Sequence, residues 1–173
     1  VTWADVEERI ADADCVLDGT DNFETRFVLN DACVKLGRPW VYGGCIGSHG
    51  QIMAVLPGKS ACLRCVIESP PEAGTTATGE TAGILGPTVN VIASWQAMLA
   101  MKILTGHLDD VPRVLTVIDL WDHTFRTLDV GNLHVSGDCP ACKHGERLWL
   151  SGQSGSRSAV LCGRNSVQVV PSS

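Results

Sequence analysis

Residues 15–44 read CVLDGTDNFETRFVLNDACVKLGRPWVYGG, and this stretch decides the fold. The apolar run that begins at Cys15 is typical of a short buried strand. Residues 22–36 then have the pattern of a helix, because Asn is a favoured amino-terminal cap and Gly37 stands where helices commonly end. A second apolar run follows the glycine. The stretch therefore predicts a strand, a helix and another strand.

The rest of the chain extends this pattern. Residues 3–11 are predicted to be helical, and a further strand is predicted from Gly50. Residues 113–130 alternate as two strands with a turn near Asp122. A long helix before them is indicated by apolar residues at steps of three and four: Ile92, Trp95, Leu99 and Ile103. Helices and strands alternate early and strands pair late, which predicts an α/β fold with a mixed sheet and an antiparallel extension.

Composition and charge exclude two classes of partner. The 173 residues are 45% hydrophobic and 18% charged, which is ordinary for a globular domain. The formal net charge is −6 and no basic run occurs, so no nucleic-acid-binding surface is predicted. Residues 89–104 form the most apolar stretch, but it is interrupted by Asn90, Gln96 and Lys102. No membrane span is therefore predicted.

Four of the eight cysteines form two C-x-x-C pairs. This spacing matches a tetrahedral zinc site with four thiolate ligands: Cys62, Cys65, Cys139 and Cys142. Two redox or unpaired C-x-x-C pairs are the alternative, and His144 is a candidate substitute ligand. A closed four-sulfur site leaves no position for water, so we expect Zn²⁺ to support folding. Metal together with reduced core thiols predicts a cytoplasmic protein.

A second chemical signal follows the first strand. Asp21 stands where a buried strand gives way to the amino terminus of a helix. In open α/β sheets, ligands bind at this edge, and helix amino termini favour anions such as phosphate. Asp21 is therefore a candidate Mg²⁺ ligand beside a nucleotide, and the alternative is that it caps the helix. The G-x-G-x-x-G fingerprint is absent from the sequence, and Met53 stands where a P-loop at Gly58 would need glycine.

Five segments together resemble one family. They are LDGTDNFETRFVLNDACVKLGRPWVYGG, CLRC, TAGILGP, ASWQAMLAMKILTG and DCPAC, in this order. The set resembles the MoeB/ThiF family of ubiquitin-activating-like adenylyltransferases over nearly the whole chain. The resemblance implies that ATP activates the carboxy-terminal glycine of a small ubiquitin-like sulfur-carrier protein with a Gly-Gly tail. It also implies a homodimer, a Rossmann-like fold, and a role in molybdopterin, thiamin or related synthesis.

The resemblance also implies roles for particular residues. Asp21 resembles the Mg²⁺ ligand of the family and Asn22 its neighbour at the ATP site. A divalent ion there would neutralise phosphate charge while the carrier's carboxylate attacks the α-phosphorus and pyrophosphate leaves. The cysteines at positions 62, 65, 139 and 142 resemble the structural zinc ligands of the family.

The first departure from the family concerns the ATP site. Members carry a glycine-rich ATP loop with Arg and Lys residues upstream of this region, and this chain starts after that half. We therefore expect residues 1–145 to be the C-terminal part of an adenylyltransferase domain that is inactive alone, and residues 146–173 to be an extension with a linker and strands. The alternative is a noncatalytic, zinc-stabilised module that binds a carrier or dimerises.

The second departure lies before the AGILGP segment. In relatives a cysteine often stands three residues before its alanine, but this chain has Gly79 there. Glycine has no nucleophile, so covalent transfer through residue 79 is excluded, and we expect the loop to act as a flexible strap over the carrier's tail. Cys45 and Cys162 are spare thiols. We interpret them as apolar packing residues, with a sulfur relay as the alternative.

Overall fold

The computed structural model describes residues 1–71, 82–154, 158–161 and 166–169, the last two ranges by their backbone. The helices named here are α1 (Val6–Ile10), α2 (Phe23–Leu36), α3 (Leu63–Val66), α4 (Gly86–Leu104) and α5 (Leu133–Ser136), with a 3₁₀ helix at Leu108–Asp110. The strands are β1 (Val16–Leu17), β2 (Trp40–Ile46), β3 (His49–Val55), β4 (Val114–Asp119), β5 (Thr124–Asp129), β6 (Ser158–Leu161) and β7 (Ser166–Val169).

Five strands form one mixed sheet in the order β1-β2-β3-β4-β5. β1 pairs with β2 in parallel, with Val16 opposite Trp40. The pairs β2–β3, β3–β4 and β4–β5 are antiparallel. β6 and β7 form a separate antiparallel pair. The predicted α/β fold with an antiparallel extension is confirmed.

Local chemistry sets both ends of α2. Asn22 precedes the helix with extended backbone, and its side-chain oxygen accepts a hydrogen bond from the N–H of Thr25 at 2.8 Å. Such a cap contributes about 1 kcal/mol. Gly37 ends the helix in the left-handed region at φ 65°, and its N–H donates to the carbonyl of Cys33. The structure uses Asn22 rather than Asp21 as the amino-terminal cap, and Gly37 ends the helix as the sequence predicts.

The sheet is covered on both faces at β2, whose side chains alternate between the two faces. Trp40 and Tyr42 of β2 point to the face of α1 and α2, whereas Val41 between them points to the face of α4. α4 lies close to the sheet at Gly50, where an added Cβ would meet Ile92 Cγ1 at 2.7 Å. The parallel pair β1–β2 at the edge of the sheet therefore lies between helices, and a loop follows the carboxyl end of each strand.

Two segments differ from the sequence-based expectation. The first helix begins at Val6 rather than at residue 3. The region after residue 145, predicted as a linker, packs on the core: Leu150 is buried there, and the Trp149 ring lies 5.0 Å from that of Phe27. Three apolar residues, Leu148 to Leu150, in a polar context were too short a pattern to show this. The division at residue 145 stays a prediction.

Among the described residues, none of the helices combines the length and the apolar character needed to cross a lipid bilayer.

Candidate functional site

The four predicted cysteines come together. Cys62 precedes α3 and Cys65 lies within it, while the other pair follows α5. Their sulfurs are 3.7 Å apart for Cys62 and Cys139, 3.8 Å for Cys62 and Cys65, and 3.4 Å for Cys65 and Cys142. All four lie within 4.8 Å of one another. Sulfurs around a tetrahedral zinc with bonds of about 2.3 Å stand about 3.8 Å apart, so the cluster fits the ion.

The thiols of the cluster affect one another strongly. The pKa of the Cys62 thiol is raised to about 12, mainly by its hydrogen bond to Cys139 and further by burial. Burial also raises the pKa of Cys142. Metal binding would have to displace these protons, which makes zinc affinity depend on pH. Among the described residues, the group of converging ligand atoms consists of the four cysteines without His144, whose Nε2 lies 2.5 Å from Asp138 Oδ1.

The middle of α2 supports the first knuckle. Asn30 is fully buried, and its Oδ1 accepts a hydrogen bond from the N–H of Leu63 at 2.8 Å. Asp31 beside it is also fully buried and lies 3.6 Å from the guanidinium of Arg64. Burial raises the pKa of Asp31, and Arg64 partly offsets this. The knuckle is therefore anchored to the same helix that begins at the predicted nucleotide site.

Asp21 and Asn22 lie together where β1 has ended and α2 begins. Both side chains are exposed, and Asn22 Nδ2 donates to Asp21 Oδ1 at 3.1 Å. Asn22 is the helix cap, so Asp21 does not have that role. The structure thus leaves an exposed carboxylate at the carboxyl end of a parallel strand, beside a helix amino terminus. That arrangement suits a divalent cation bound to phosphate groups.

Three buried polar residues behind this loop were not singled out from the sequence. Asp18 and Arg26 form an ion pair with Nε and Oδ2 3.2 Å apart. Gln96 of α4 is also buried, and its Nε2 donates to the carbonyls of Asp18 and Val41 at 2.8 and 3.0 Å. The available signal was a polar residue inside an apolar pattern, since Gln96 follows Ile92 by four positions.

Other candidate residues lie outside this arrangement. Burial raises the pKa of the Cys45 thiol on β2, which does not favour the thiolate that a sulfur relay would need. The exposed His49 lies 3.1 Å from the buried Asp119, and His107 lies 3.3 Å from Asp110 in an exposed pair. Gly79 and Cys162 fall outside the described residues.

Comparison with known proteins finds a family model and curated relatives that match this chain. The ThiF family model matches residues 1–141. The sulfur carrier protein ThiS adenylyltransferase of Bacillus subtilis is 41% identical over 169 residues, covering 98% of this chain and 49% of that protein. The SAMP-activating enzyme E1 of Haloferax volcanii is 35% identical over 145 residues, covering 84% of this chain and 52% of that protein. The chain spans about half the length of these relatives.

A solved structure shares the fold. The crystal structure of Escherichia coli MccB with ATP superposes with a TM-score of 0.64 at 18% identity, covering 82% of this chain and 43% of that one. At this identity the likeness shows the fold alone. It agrees with the Rossmann-like ubiquitin-activating-enzyme fold implied by the sequence resemblance, which is thereby confirmed.

Proposed function

The chain belongs to the ThiF family, and on that premise we propose that the full-length protein adenylates the carboxy-terminal glycine of a small ubiquitin-like sulfur carrier. The relatives that match it are named as adenylyltransferases and activating enzymes. Because the chain spans about half of their length, the complete reaction is proposed for the full-length protein. We propose that the phosphate-gripping loop lies outside residues 1–173 and that this chain supplies the remaining part of the site.

The position of Asp21 carries this proposal. It is an exposed carboxylate at the carboxyl end of β1, next to the capped amino terminus of α2. Mg²⁺ is commonly held by one or two carboxylates together with substrate phosphates, so a single Asp here suits Mg²⁺ bound with ATP. The ion would neutralise charge on the phosphates. Asn22 would orient the Asp21 carboxylate through the hydrogen bond between their side chains.

We propose a structural role for zinc at the cysteine cluster. Four thiolates complete a tetrahedral shell and leave no position for substrate. The cluster joins segments that are 77 residues apart in sequence, Cys62 with Cys139 and Cys65 with Cys142. Zinc would therefore fix the end of the domain, residues 138–145, against α3. We propose that residues 146–173 extend this unit and that the protein works in the cytoplasm, where thiols stay reduced.

The proposed partner is a sulfur carrier with a Gly-Gly tail, of the type used in thiamin, molybdopterin or related synthesis. The Bacillus subtilis relative is named for the carrier ThiS. We propose that the segment around Gly79 crosses the carrier's tail without bonding to it covalently. This part of the proposal rests on the sequence alone.

We also propose a homodimer, as the family resemblance implies. α4 supports this proposal because its outward side has exposed apolar side chains: Val89, Val91, Met98, Met101 and Leu104. Lys102 is the sole charged residue between Gly86 and Leu104. A helix whose outward side is also largely apolar is usually covered. Light scattering should give twice the monomer mass for the full-length protein, and Met98→Glu with Met101→Glu should give the monomer mass. A monomeric unaltered protein would overturn the homodimer.

Carrier-dependent exchange of pyrophosphate into ATP tests the function. We expect full-length protein to catalyse exchange with a ThiS-type or MoaD-type carrier, and residues 1–173 alone to show none. Asp21→Ala should abolish exchange at ordinary Mg²⁺ concentrations, whereas the exposed control Asp109→Ala, before the amino end of β4, should retain it. Unchanged exchange in Asp21→Ala would overturn the assignment of Asp21. Carrier binding without exchange would instead support a noncatalytic carrier-binding module.

A further inference from the structure

Two opposite charges are buried directly behind the Asp21 loop. The Asp18 side chain has no exposed surface and that of Arg26 is 9% exposed. Charged side chains are almost never buried this fully unless they are paired. A buried ion pair is nevertheless weak evidence for stability, because desolvation offsets much of the attraction. The role of the buried pair is therefore better sought in the groups to which it hydrogen-bonds.

Asp18 and Arg26 bind the backbone of the same two residues. Asp18 binds the N–H groups of Thr20 and Gly43, and Arg26 binds their carbonyls. Asp18 accepts hydrogen bonds from the N–H of Thr20 at 2.9 Å and from the N–H of Gly43 at 3.3 Å. Arg26 Nη2 donates to the carbonyl of Thr20 at 2.7 Å and to the carbonyl of Gly43 at 3.3 Å. The Thr20 hydroxyl also donates to Asp18, at 2.7 Å. The two side chains thus replace backbone pairing where β1 has ended and β2 continues.

Gln96 fastens the same point from the opposite face of the sheet. Its amide nitrogen donates to the carbonyl of Asp18, just after β1, and to that of Val41 on β2. Gly43 leaves room for it, since a Cβ there would stand 2.5 Å from Gln96 Nε2. Three polar side chains, one just after β1, one from α2 and one from α4, therefore converge on the backbone just after β1 and on β2 beside it.

The backbone just after β1 carries the proposed Mg²⁺ ligand. Thr20 immediately precedes Asp21, and Asn22 immediately follows it and caps α2. Both neighbours of Asp21 are therefore fixed by hydrogen bonds, which limits where its carboxylate can point. We propose that Asp18, Arg26 and Gln96 are positioning residues that hold residues 19–22 in the conformation in which Asp21 binds Mg²⁺ with ATP. This inference rests on the proposed function.

Metal affinity separates positioning from general stability. Residues that orient a ligand typically change metal affinity by roughly 10-fold to 100-fold when altered. Asp18→Asn keeps the shape and removes the charge, so we expect about 10-fold weaker binding of Mn²⁺ in the presence of ATP, measured by electron paramagnetic resonance on the full-length protein. Arg26→Lys keeps the charge but loses the planar fork of donors, and it should show a similar loss. Half-saturating Mg²⁺ for pyrophosphate exchange should rise in parallel.

A second buried ion pair supplies the matched control. Asp31 and Arg64 are as buried as Asp18 and Arg26, but they anchor α3 instead of the Asp21 loop. Asp31→Asn should lower the melting temperature and leave the Mn²⁺ affinity within 2-fold of the unaltered protein, roughly the scatter expected for a distant site. Hydrogen exchange at the Thr20 amide should accelerate in Asp18→Asn and stay unchanged in Asp31→Asn.

The outcomes distinguish this inference from the function on which it rests. If Asp21→Ala binds Mn²⁺ with ATP as well as the unaltered protein does, the proposed metal ligand is wrong. If Asp21→Ala loses binding while folded Asp18→Asn and Arg26→Lys keep it, the positioning inference alone is wrong. Should Asp18→Asn not fold, Gln96→Met, which nearly preserves shape, decides the question. Weakened metal binding in that variant supports positioning, and unchanged binding overturns it.

Discussion

Asn30 Oδ1 accepts a hydrogen bond from the backbone N–H of Leu63 at 2.8 Å, which joins the middle of α2 to the residue after the first cysteine of the cluster. Asn22 caps the amino end of the same helix, next to Asp21. One helix therefore carries the proposed nucleotide site at its start and the anchor of the proposed zinc site at its centre.

Replacing the anchor should cost stability. Asn30→Ala leaves the buried N–H of Leu63 without its acceptor, and an unsatisfied buried donor costs about 1–3 kcal/mol. We expect urea unfolding of the full-length protein to show a loss of that size. Asp109→Ala, an exposed site before β4, is the control and should change stability by less than about 0.5 kcal/mol. Equal losses in the two variants would show that the Asn30 anchor contributes nothing specific.

The cysteine cluster should hold one zinc ion per chain. Four thiols within 4.8 Å of one another satisfy a tetrahedral ion, and removing one ligand opens the shell. Cys139→Ser should therefore purify without stoichiometric zinc and unfold at a lower denaturant concentration, as measured by elemental analysis and urea titration. Cys45→Ser, which lies on β2 outside the cluster, should keep its zinc. Metal-free unaltered protein, purified without chelator, would argue against the site.

The sequence was informative where the decisive interactions are local. Both ends of α2 were predictable because Asn22 and Gly37 act on backbone groups within one turn. The grouping of the four cysteines into one cluster was predictable from their two C-x-x-C spacings. The convergence of Asp18, Arg26 and Gln96 was not predictable, because Gln96 is 78 residues from Asp18 and meets it only through the packing of α4 on the sheet. Long-range polar contacts of this kind leave no periodic pattern in a sequence.

Acid should weaken the fold partly through Asp119. The side chain of Ser48, and then the N–H groups of Trp121 and Asp122, hold the pKa of Asp119 below its usual value. A carboxyl whose pKa is lowered by folding adds to the free energy of unfolding above its unfolded pKa of about 4. This contribution is lost as the pH falls through the pKa of the folded state. The free energy of unfolding of Asp119→Asn should therefore lie below that of the unaltered protein at pH 7, and the gap should narrow below about pH 4. A gap that stays constant down to pH 2 would contradict this.

Gly79 predicts an absence of covalent carrier chemistry at its position. Glycine has neither the methylene nor the sulfur needed for a thioester or disulfide, so the full-length protein should form a carrier acyl-adenylate but no adduct at residue 79. Adenylation should survive, because it depends on phosphate positioning and Mg²⁺. Gly79→Cys should yield a carrier adduct that thiol reagents cleave, visible by mass spectrometry. Gly79→Ser should yield no adduct that thiol reagents cleave. A reducible adduct in the unaltered protein, mapped to Cys45 or Cys162, would show that another cysteine performs the sulfur chemistry.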